Sequence, residues 1–352
     1  MKQILSLPLF TAASLILSSC SSSVYKDVYP TLLDGQYDSE FPYRGCSKQL
    51  EEISQSVKRV SVMANYKSYY FEREDSVQLS NITKGFLELH DAAVTFQSQT
   101  VAGTSTIIYN ENNRIALLTC AHVVDFADTI STRYSGPDFR PSAFLRSISF
   151  KPNQLMFLNE VGVGISLEIL AFDRTADLAI LGQRLDPSRN IPAPVFRYPL
   201  GKSRELEWGS FVYLFGYPGG YRMVTKGIVS LPRMTQGSFL VDAVVSAGAS
   251  GSIALAIRDG VPNFELVGIV KMVPGQISYV LAPSKTQQGE YDPEEPYHGD
   301  TYIQKKSEIQ QGIAVAIPTE AIVTFIEGNK AELLKKGYDL NTWIHPTARQ
   351  HK

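Results

Sequence analysis

Short apolar runs separated by loop residues are the feature that most restricts how this 352-residue chain can fold. From Val60 onward, about a dozen such runs follow one another, and they are rich in β-branched and aromatic residues. Helical periodicity occurs at Thr319–Phe325 and Lys330–Lys336, and one further helix is predicted around Ser47–Val57. The pattern therefore predicts an all-β barrel or sandwich with a short helical segment near its C-terminal end.

Two connections between these runs can be predicted from their own residues. Ile107–Tyr109 and Arg114–Leu118 predict a hairpin closed by the four-residue polar turn Asn110–Asn113. The polar segment Ala282–Gln311 predicts a long inserted loop. Such an insertion is either a tolerated surface loop or a lid or exosite that controls access to a site.

Charge and hydrophobic content exclude two classes of protein. Lys and Arg number 33 and Asp and Glu number 35, so the formal net charge is −2. A nearly neutral chain offers no electrostatic reason to expect nucleic acid as a partner. The hydrophobic fraction of 44% is enough to bury a core, which argues against general disorder.

The first residues are typical of an export signal. Lys2 precedes the apolar run Ile4–Leu17, which is shorter than the roughly 20 residues that a membrane-spanning helix needs. The run ends in Leu17-Ser-Ser-Cys20, which resembles the bacterial lipobox; an ordinary signal with an incidental cysteine is the alternative. The lipobox predicts a signal peptide over 1–19, and a lipid-attachment cysteine with tether and lead-in over 20–57. The expected location is the bacterial cell envelope on the extracytoplasmic side, with the lipid on Cys20 held in a membrane.

With Cys20 lipidated, two cysteines remain. Cys46 and Cys120 form an even pair in an exported protein, and the sequence leaves open whether they form a disulfide or stay separate thiols. The chain has no CxxC motif and no Cys/His cluster with zinc spacing, so we expect no structural metal.

Three polar residues occupy positions that suit nucleophilic catalysis. His122 ends an apolar strand, Asp177 directly precedes the buried run Leu178–Leu181, and Ser250 lies in a turn between glycines. Each residue alone has an ordinary structural explanation. Together they supply a general base, an orienting acid and a nucleophile. Asp173 is the less favoured acid, because it lies in a loop.

The segments around these residues resemble the motifs of trypsin-like serine peptidases, nearest the HtrA-type branch. Thr119-Cys-Ala-His122-Val-Val is similar to the histidine motif, and Thr175-Ala-Asp177-Leu-Ala-Ile-Leu to the aspartate motif. Asp242-Ala, followed by Gly248-Ala-Ser250-Gly, is similar to the serine motif. Further resemblances occur in consistent order at Phe215–Gly220, Thr225–Ser230, Leu266–Val270 and Val315–Thr319.

This resemblance implies a chymotrypsin-like double six-stranded β-barrel over 58–328, followed by a C-terminal helix and tail over 329–352. It implies that Ser250 attacks the scissile carbonyl, His122 moves its proton and Asp177 orients the imidazole. The backbone amides of Gly248 and Ser250 would form the oxyanion hole.

The resemblance also implies how a substrate binds. The strand after the nucleophile pairs with the substrate backbone, which assigns substrate binding to Val270, Lys271 and Met272. No metal and no organic cofactor is implied. The expected function is a lipid-anchored serine endopeptidase that hydrolyses peptide bonds of extracytoplasmic proteins, and its partners are polypeptide substrates.

Two departures from the family pattern bear on this expectation. Ala249 and Ser252 replace the Asn and the second Gly of the usual G-N-S-G-G motif. Ser252 keeps open the alternative of a catalytically inactive trypsin-like binding lipoprotein. About 27 residues follow Phe325, so a PDZ domain of the kind common in HtrA-type enzymes is not expected. The motifs indicate neither an oligomeric state nor a preferred cleavage site.

Overall fold

The computed structural model describes residues 33–346 apart from several short stretches. The residues left out are 43, 137–139, 160–165, 187–192, 235–236, 272–274, 284–293, 295–298, 300 and 310–311. The predicted signal peptide over 1–19 and the predicted lipidation site Cys20 lie outside the described residues.

Antiparallel strands make up most of the described chain. In sequence order they are β1 (Val57–Tyr70), β2 (Ala93–Glu111), β3 (Arg114–Thr119), β4 (Thr129–Ser135), β5 (Pro141–Leu158), β6 (Glu168–Asp173), β7 (Leu178–Arg184), β8 (Phe211–Gly216), β9 (Met223–Leu231), β10 (Phe239–Asp242), β11 (Ile253–Ile257), β12 (Phe264–Val270), β13 (Gly275–Pro283), β14 (Thr301–Ile309) and β15 (Ile313–Pro318). The helices are short: α1 (Ser47–Ser56), α2 (Lys84–Leu89), α3 (Ala121–Val124), α4 (Thr319–Gly328), α5 (Lys330–Lys335) and α6 (Asn341–Ile344).

The strands form two main sheets, one in each half of the chain. The first is a seven-stranded sheet in the order β4-β5-β1-β2-β3-β7-β6. The second is a closed six-stranded barrel in the order β10-β15-β12-β11-β8-β9. The predicted all-β chymotrypsin-like fold is confirmed, with one difference in detail. The first half has seven strands instead of six, and its strand order does not close within the described residues.

Strand β8 shows how the two halves are joined. All of its residues, Phe211 to Gly216, are buried, although successive side chains point to opposite faces of a strand. Val212 and Leu214 belong to the interior of the second barrel. Phe211, Tyr213 and Phe215 belong to a cluster that continues into β1, β3 and β7 of the first sheet. The two halves therefore pack against each other through a continuous apolar core.

The helical predictions are confirmed at both ends of the described chain. α1 begins at Ser47 as expected, and α4 and α5 follow β15 at the predicted positions. α4 buries Ile322, Phe325 and Ile326 against the rest of the fold. Within the described residues, no helix combines the length and the hydropathy required to cross a bilayer.

Two predictions about connections are wrong in detail. The turn between β2 and β3 has two residues instead of four, because Asn112 and Asn113 both adopt left-handed φ angles, 52° and 56°. Asparagine tolerates this conformation, which the tightest hairpin turns require. The segment predicted as a loop over 282–311 contains β14, which pairs with β13 in a separate two-stranded hairpin.

The two remaining cysteines do not form a disulfide. Cys46 and Cys120 are both free and buried. The sulfur of Cys46 lies 3.6 Å from the hydroxyl oxygen of Tyr213. The thiol of Cys120 donates to the carbonyl oxygen of Val270 over 3.2 Å. Of the two alternatives that the sequence left open, separate thiols is the one observed.

Candidate active site

His122 lies directly after strand β3 of the first sheet. β3 ends at Thr119, and the single turn α3 carries His122 between the buried residues Ala121 and Val123. Burial on both sides holds the backbone of the turn in place. The imidazole itself is 29% exposed, so it can reach both a protein partner and a substrate.

Asp177 is placed by an uncommon backbone conformation. It directly precedes β7 with φ = 57°, a left-handed angle that Asp and Asn tolerate better than most residues. Its carbonyl oxygen accepts the Ala121 N–H over 3.1 Å, and its Oδ1 accepts the His122 N–H over 2.9 Å. These two bonds tie the aspartate loop to the histidine turn.

The imidazole of His122 joins Asp177 to Ser250. Its Nδ1 lies 2.8 Å and 3.0 Å from the two carboxylate oxygens of Asp177. Its Nε2 lies 2.8 Å from Ser250 Oγ. A carboxylate can only accept, so Nδ1 carries the proton and the Nε2 lone pair faces the serine hydroxyl. The three side chains lie in the order that proton transfer from Ser250 requires.

The serine turn is held open by two glycines. Gly248 and Gly251 have φ angles of 96° and 88°, which side-chain-bearing residues rarely adopt. A Cβ on Gly248 would collide with the carbonyl oxygen of Tyr217. The Ser250 carbonyl accepts the Thr104 N–H over 2.8 Å, and the Gly251 N–H donates to Val270 over 2.7 Å. The nucleophile is therefore fixed to strands of both halves.

The amides predicted to form the oxyanion hole are available. Among the described residues, neither the Gly248 N–H nor the Ser250 N–H donates to a carbonyl group. The intervening Ala249 N–H instead donates to the Ser246 carbonyl over 3.0 Å, and the Ala249 side chain is buried. The replacement of Asn by Ala at residue 249 thus leaves the two predicted donors unoccupied.

Ser252 packs away from the reacting groups. Its side chain is buried at 2% exposure and its hydroxyl donates to Thr104 Oγ1 over 3.3 Å. It fills the space beside Gly216, where an added Cβ would lie 2.7 Å from Ser252 Cβ and closer still to its hydroxyl. The missing side chain of Gly216 thus leaves room for the Ser252 side chain, and Gly251 keeps its left-handed φ angle. The replacement of the second Gly by Ser therefore does not close the site.

The predicted substrate-binding strand needs a correction. Val270 is fully buried, its N–H donates to the Ser252 carbonyl over 2.8 Å, and its carbonyl accepts from Gly251 and from the Cys120 thiol. Val270 is therefore not free to pair with a substrate, and the prediction for it is wrong. Lys271 donates its N–H to the Val315 carbonyl over 2.9 Å and stays partly exposed. Met272 lies outside the described residues.

One group of potential metal ligands includes two of these side chains. Ligand atoms of Cys120, His122 and Asp177 all lie within 4.8 Å of one another. Burial raises the pKa of the Cys120 thiol well above its usual value, and the Asp177 carboxylate raises it further. His122 and Asp177 already bond to each other, so a metal would have to replace that bond. The arrangement favours proton transfer over metal binding.

Thr104 is the residue of the site that sequence reasoning missed. Its Oγ1 donates to the Gly248 carbonyl over 2.8 Å and accepts the Tyr217 N–H over 2.9 Å. Its carbonyl accepts the Thr119 hydroxyl over 2.7 Å. Thr104 thus links the histidine strand to the serine turn. In the sequence, Thr104 is simply a small residue that follows Gly103 in a predicted strand, and this pattern is too common to indicate a site.

The comparison with protein families agrees with this geometry. Residues 103–269 match the family described as "Trypsin-like peptidase domain". No curated protein matches the chain significantly. Among solved structures, 182 chains match, one of them the serine endoprotease from Yersinia pestis. That match has 18% identity and a TM-score of 0.39, and it covers 82% of this chain and 68% of the other. The family match spans all three side chains of the hydrogen-bonded line, and residues 103–269 of this chain are a trypsin-like peptidase domain.

Proposed function

We propose that this chain is an active serine endopeptidase that hydrolyses extracytoplasmic proteins while anchored to a membrane by lipid on Cys20. The observation that carries the catalytic part is the line from Ser250 Oγ through His122 to Asp177, with 2.8 Å at each step. Hydrogen bonds of this length between nucleophile, base and orienting acid are what acyl transfer by a serine requires.

The proposed reaction uses only groups of this chain. His122 Nε2 takes the Ser250 proton as Oγ attacks the scissile carbonyl, and Asp177 stabilises the imidazolium that forms. The tetrahedral oxyanion accepts from the Gly248 and Ser250 amides, each worth roughly 3 kcal/mol of barrier. His122 then protonates the leaving amine. In the second half of the reaction His122 takes a proton from water as the water oxygen attacks the acyl-enzyme carbonyl, and it gives that proton to Ser250 Oγ as the carboxylic acid leaves.

A fluorophosphonate probe tests the catalytic part directly. We expect the chain to be labelled, because only an activated serine reacts with such a probe. Ser250→Ala should abolish the labelling. Ser246→Ala is the matched control, since the Ser246 carbonyl, and not its hydroxyl, holds the serine turn. Absence of labelling in the unaltered chain, or equal labelling of the Ser250 variant, contradicts the proposal.

The proposed location depends on Cys20 and its neighbours. The apolar run ending in Leu17-Ser-Ser-Cys20, followed by three serines, supports lipid attachment at an exported N-terminus. A single acyl chain binds a membrane only marginally, so the stable attachment proposed here needs two or more chains.

In a bacterial host, we expect Cys20→Ala to lose acyl labelling and to leave the membrane fraction. Cys46→Ala serves as the control, because this cysteine is buried within the fold and should not affect lipidation. Persistent labelling and membrane association of the Cys20 variant would show that the lipobox assignment is wrong.

The inactive binding protein is the weaker of the two candidate functions. Its basis was Ser252, which packs against Thr104 beside Gly216 instead of intruding on the site. The hydrogen-bonded line and the two available amides support catalysis instead.

A further inference from the structure

The first half of strand β2 has a free edge. β2 pairs with β1 without interruption from Ala93 to Thr106. On its other side it pairs with β3, and that pairing covers only Thr106 to Glu111. Among the residues that the structure describes, no strand pairs with the outer edge of β2 from Ala93 to Ser105.

The backbone groups on this edge can be assigned from Thr104. Its N–H donates to Ser250 and its carbonyl accepts from Thr119, so both point away from β1. Backbone groups of alternate residues point to the same side of a strand, and the register with β1 has no bulge here. The outward-facing residues are therefore Val94, Phe96, Ser98, Thr100 and Ala102. Within the described chain, none of their N–H groups donates to another backbone carbonyl.

This edge lacks the features that normally prevent strand pairing. Exposed edges are usually protected by charged side chains, prolines or bulges. No charged residue and no proline occurs between Ala92 and Asn110. Phe96 and Val94 are 77% and 44% exposed. An uncharged, regular edge with exposed apolar side chains is suited to accept another extended chain.

The edge also leads directly to the nucleophile. Its inner end is Thr104, whose N–H bonds to the Ser250 carbonyl. Lys271, where substrate binding remains predicted, follows β12 of the second barrel, whereas β2 belongs to the first sheet. An extended substrate that crosses from one half of the fold to the other at Ser250 would therefore contact both Lys271 and the edge of β2.

We propose that the outer edge of β2 from Val94 to Ala102 binds a polypeptide substrate as an added strand. The inference rests on the proposed peptidase function and specifies the substrate class. The edge fits an extended, uncharged segment of about nine residues, because each residue in it pairs with or packs on one residue of the edge. Folded proteins are poor substrates under this proposal, since their backbone groups are already paired.

The experiment measures peptide binding independently of catalysis. The full chain carrying Ser250→Ala is titrated into a fluorescein-labelled peptide of about nine Thr, Val, Ser and Gln residues, a length matched to the free edge. Ser98→Pro removes an outward N–H, and proline is tolerated at strand edges. Ser98→Ala keeps that N–H and is the matched control.

We expect Ser98→Pro to weaken binding about tenfold or more, and Ser98→Ala to bind as the parent does. A second measurement does not depend on the folding of a variant. Two peptides are compared, one N-methylated at the odd-numbered amides and the other at the even-numbered amides. Strand addition requires one of the two peptides to bind much more weakly than the other, because only alternate amides of an added strand face the edge. Equal binding by the two peptides, or by a folded Ser98→Pro chain and its parent, overturns the proposal.

Two further outcomes separate this inference from its alternatives. Should Ser98→Pro convert a dimer into a monomer without changing peptide binding, the edge serves a second copy of the chain and the proposal is wrong. Fluorophosphonate labelling of the chain with Ser250 intact reports on the peptidase function alone. Peptide binding without labelling would therefore reject the proposed catalysis while keeping the strand-addition site.

Discussion

Replacing Asp177 with asparagine is expected to lower kcat about 10⁴-fold without unfolding the protein. The Asn amide can still accept the His122 N–H through its oxygen, so the loop contact persists. Its NH₂ group, however, would donate to Nδ1 and move the imidazole proton to Nε2. In that tautomer His122 cannot accept the Ser250 proton. The measurement is steady-state hydrolysis of a peptide substrate, with circular dichroism to verify the fold.

Asp173→Asn provides the control for this prediction. The Oδ1 of Asp173 accepts the N–H groups of Thr175 and Ala176 over 2.7 Å and 3.0 Å. Asparagine keeps that oxygen, so we expect nearly unchanged turnover. Normal activity of Asp177→Asn together with loss of activity in Asp173→Asn would reverse the assignment of the acid.

Gly216→Ala is expected to lower the free energy of unfolding by about 3 kcal/mol, at the upper end of the usual cost of overpacking. The added Cβ would lie 2.7 Å from Ser252 Cβ and 2.8 Å from Thr104 Oγ1. Both neighbours are buried, and Thr104 is fixed by bonds to the histidine strand and the serine turn, so neither can move away cheaply. Urea denaturation measures the loss as a shift of the midpoint.

Two companion variants separate packing at Gly216 from a general effect of alanine. Ser252→Gly in the same chain removes the nearest clash and should recover part of the stability. Gly45→Ala should change little, because no atom of the described residues lies within 4 Å of its added Cβ. A Gly216→Ala chain as stable as its parent would mean that Ser252 does not occupy the space beside residue 216.

Local patterns in the chain determined most of the fold and the composition of the site. Short runs rich in β-branched and aromatic residues predict strands because such side chains pack well on a pleated sheet. His122, Asp177 and Ser250 stand out because each adjoins such a strand. The two-residue turn at Asn112 and Asn113 could also be predicted from the sequence, since two consecutive asparagines favour left-handed φ angles.

Tertiary structure alone decided which backbone and side-chain groups are already hydrogen-bonded and which buried spaces are filled. Thr104 and Gly248 are 144 residues apart, and nothing near either one predicts their hydrogen bond. Val270 fits the family pattern for substrate binding, yet its carbonyl accepts from Cys120, 150 residues away, so it is unavailable. Ser252 is harmless only because Gly216 lies opposite. A hydrogen bond or a buried space depends on both partners, and partners distant in the chain meet only when the two halves pack together.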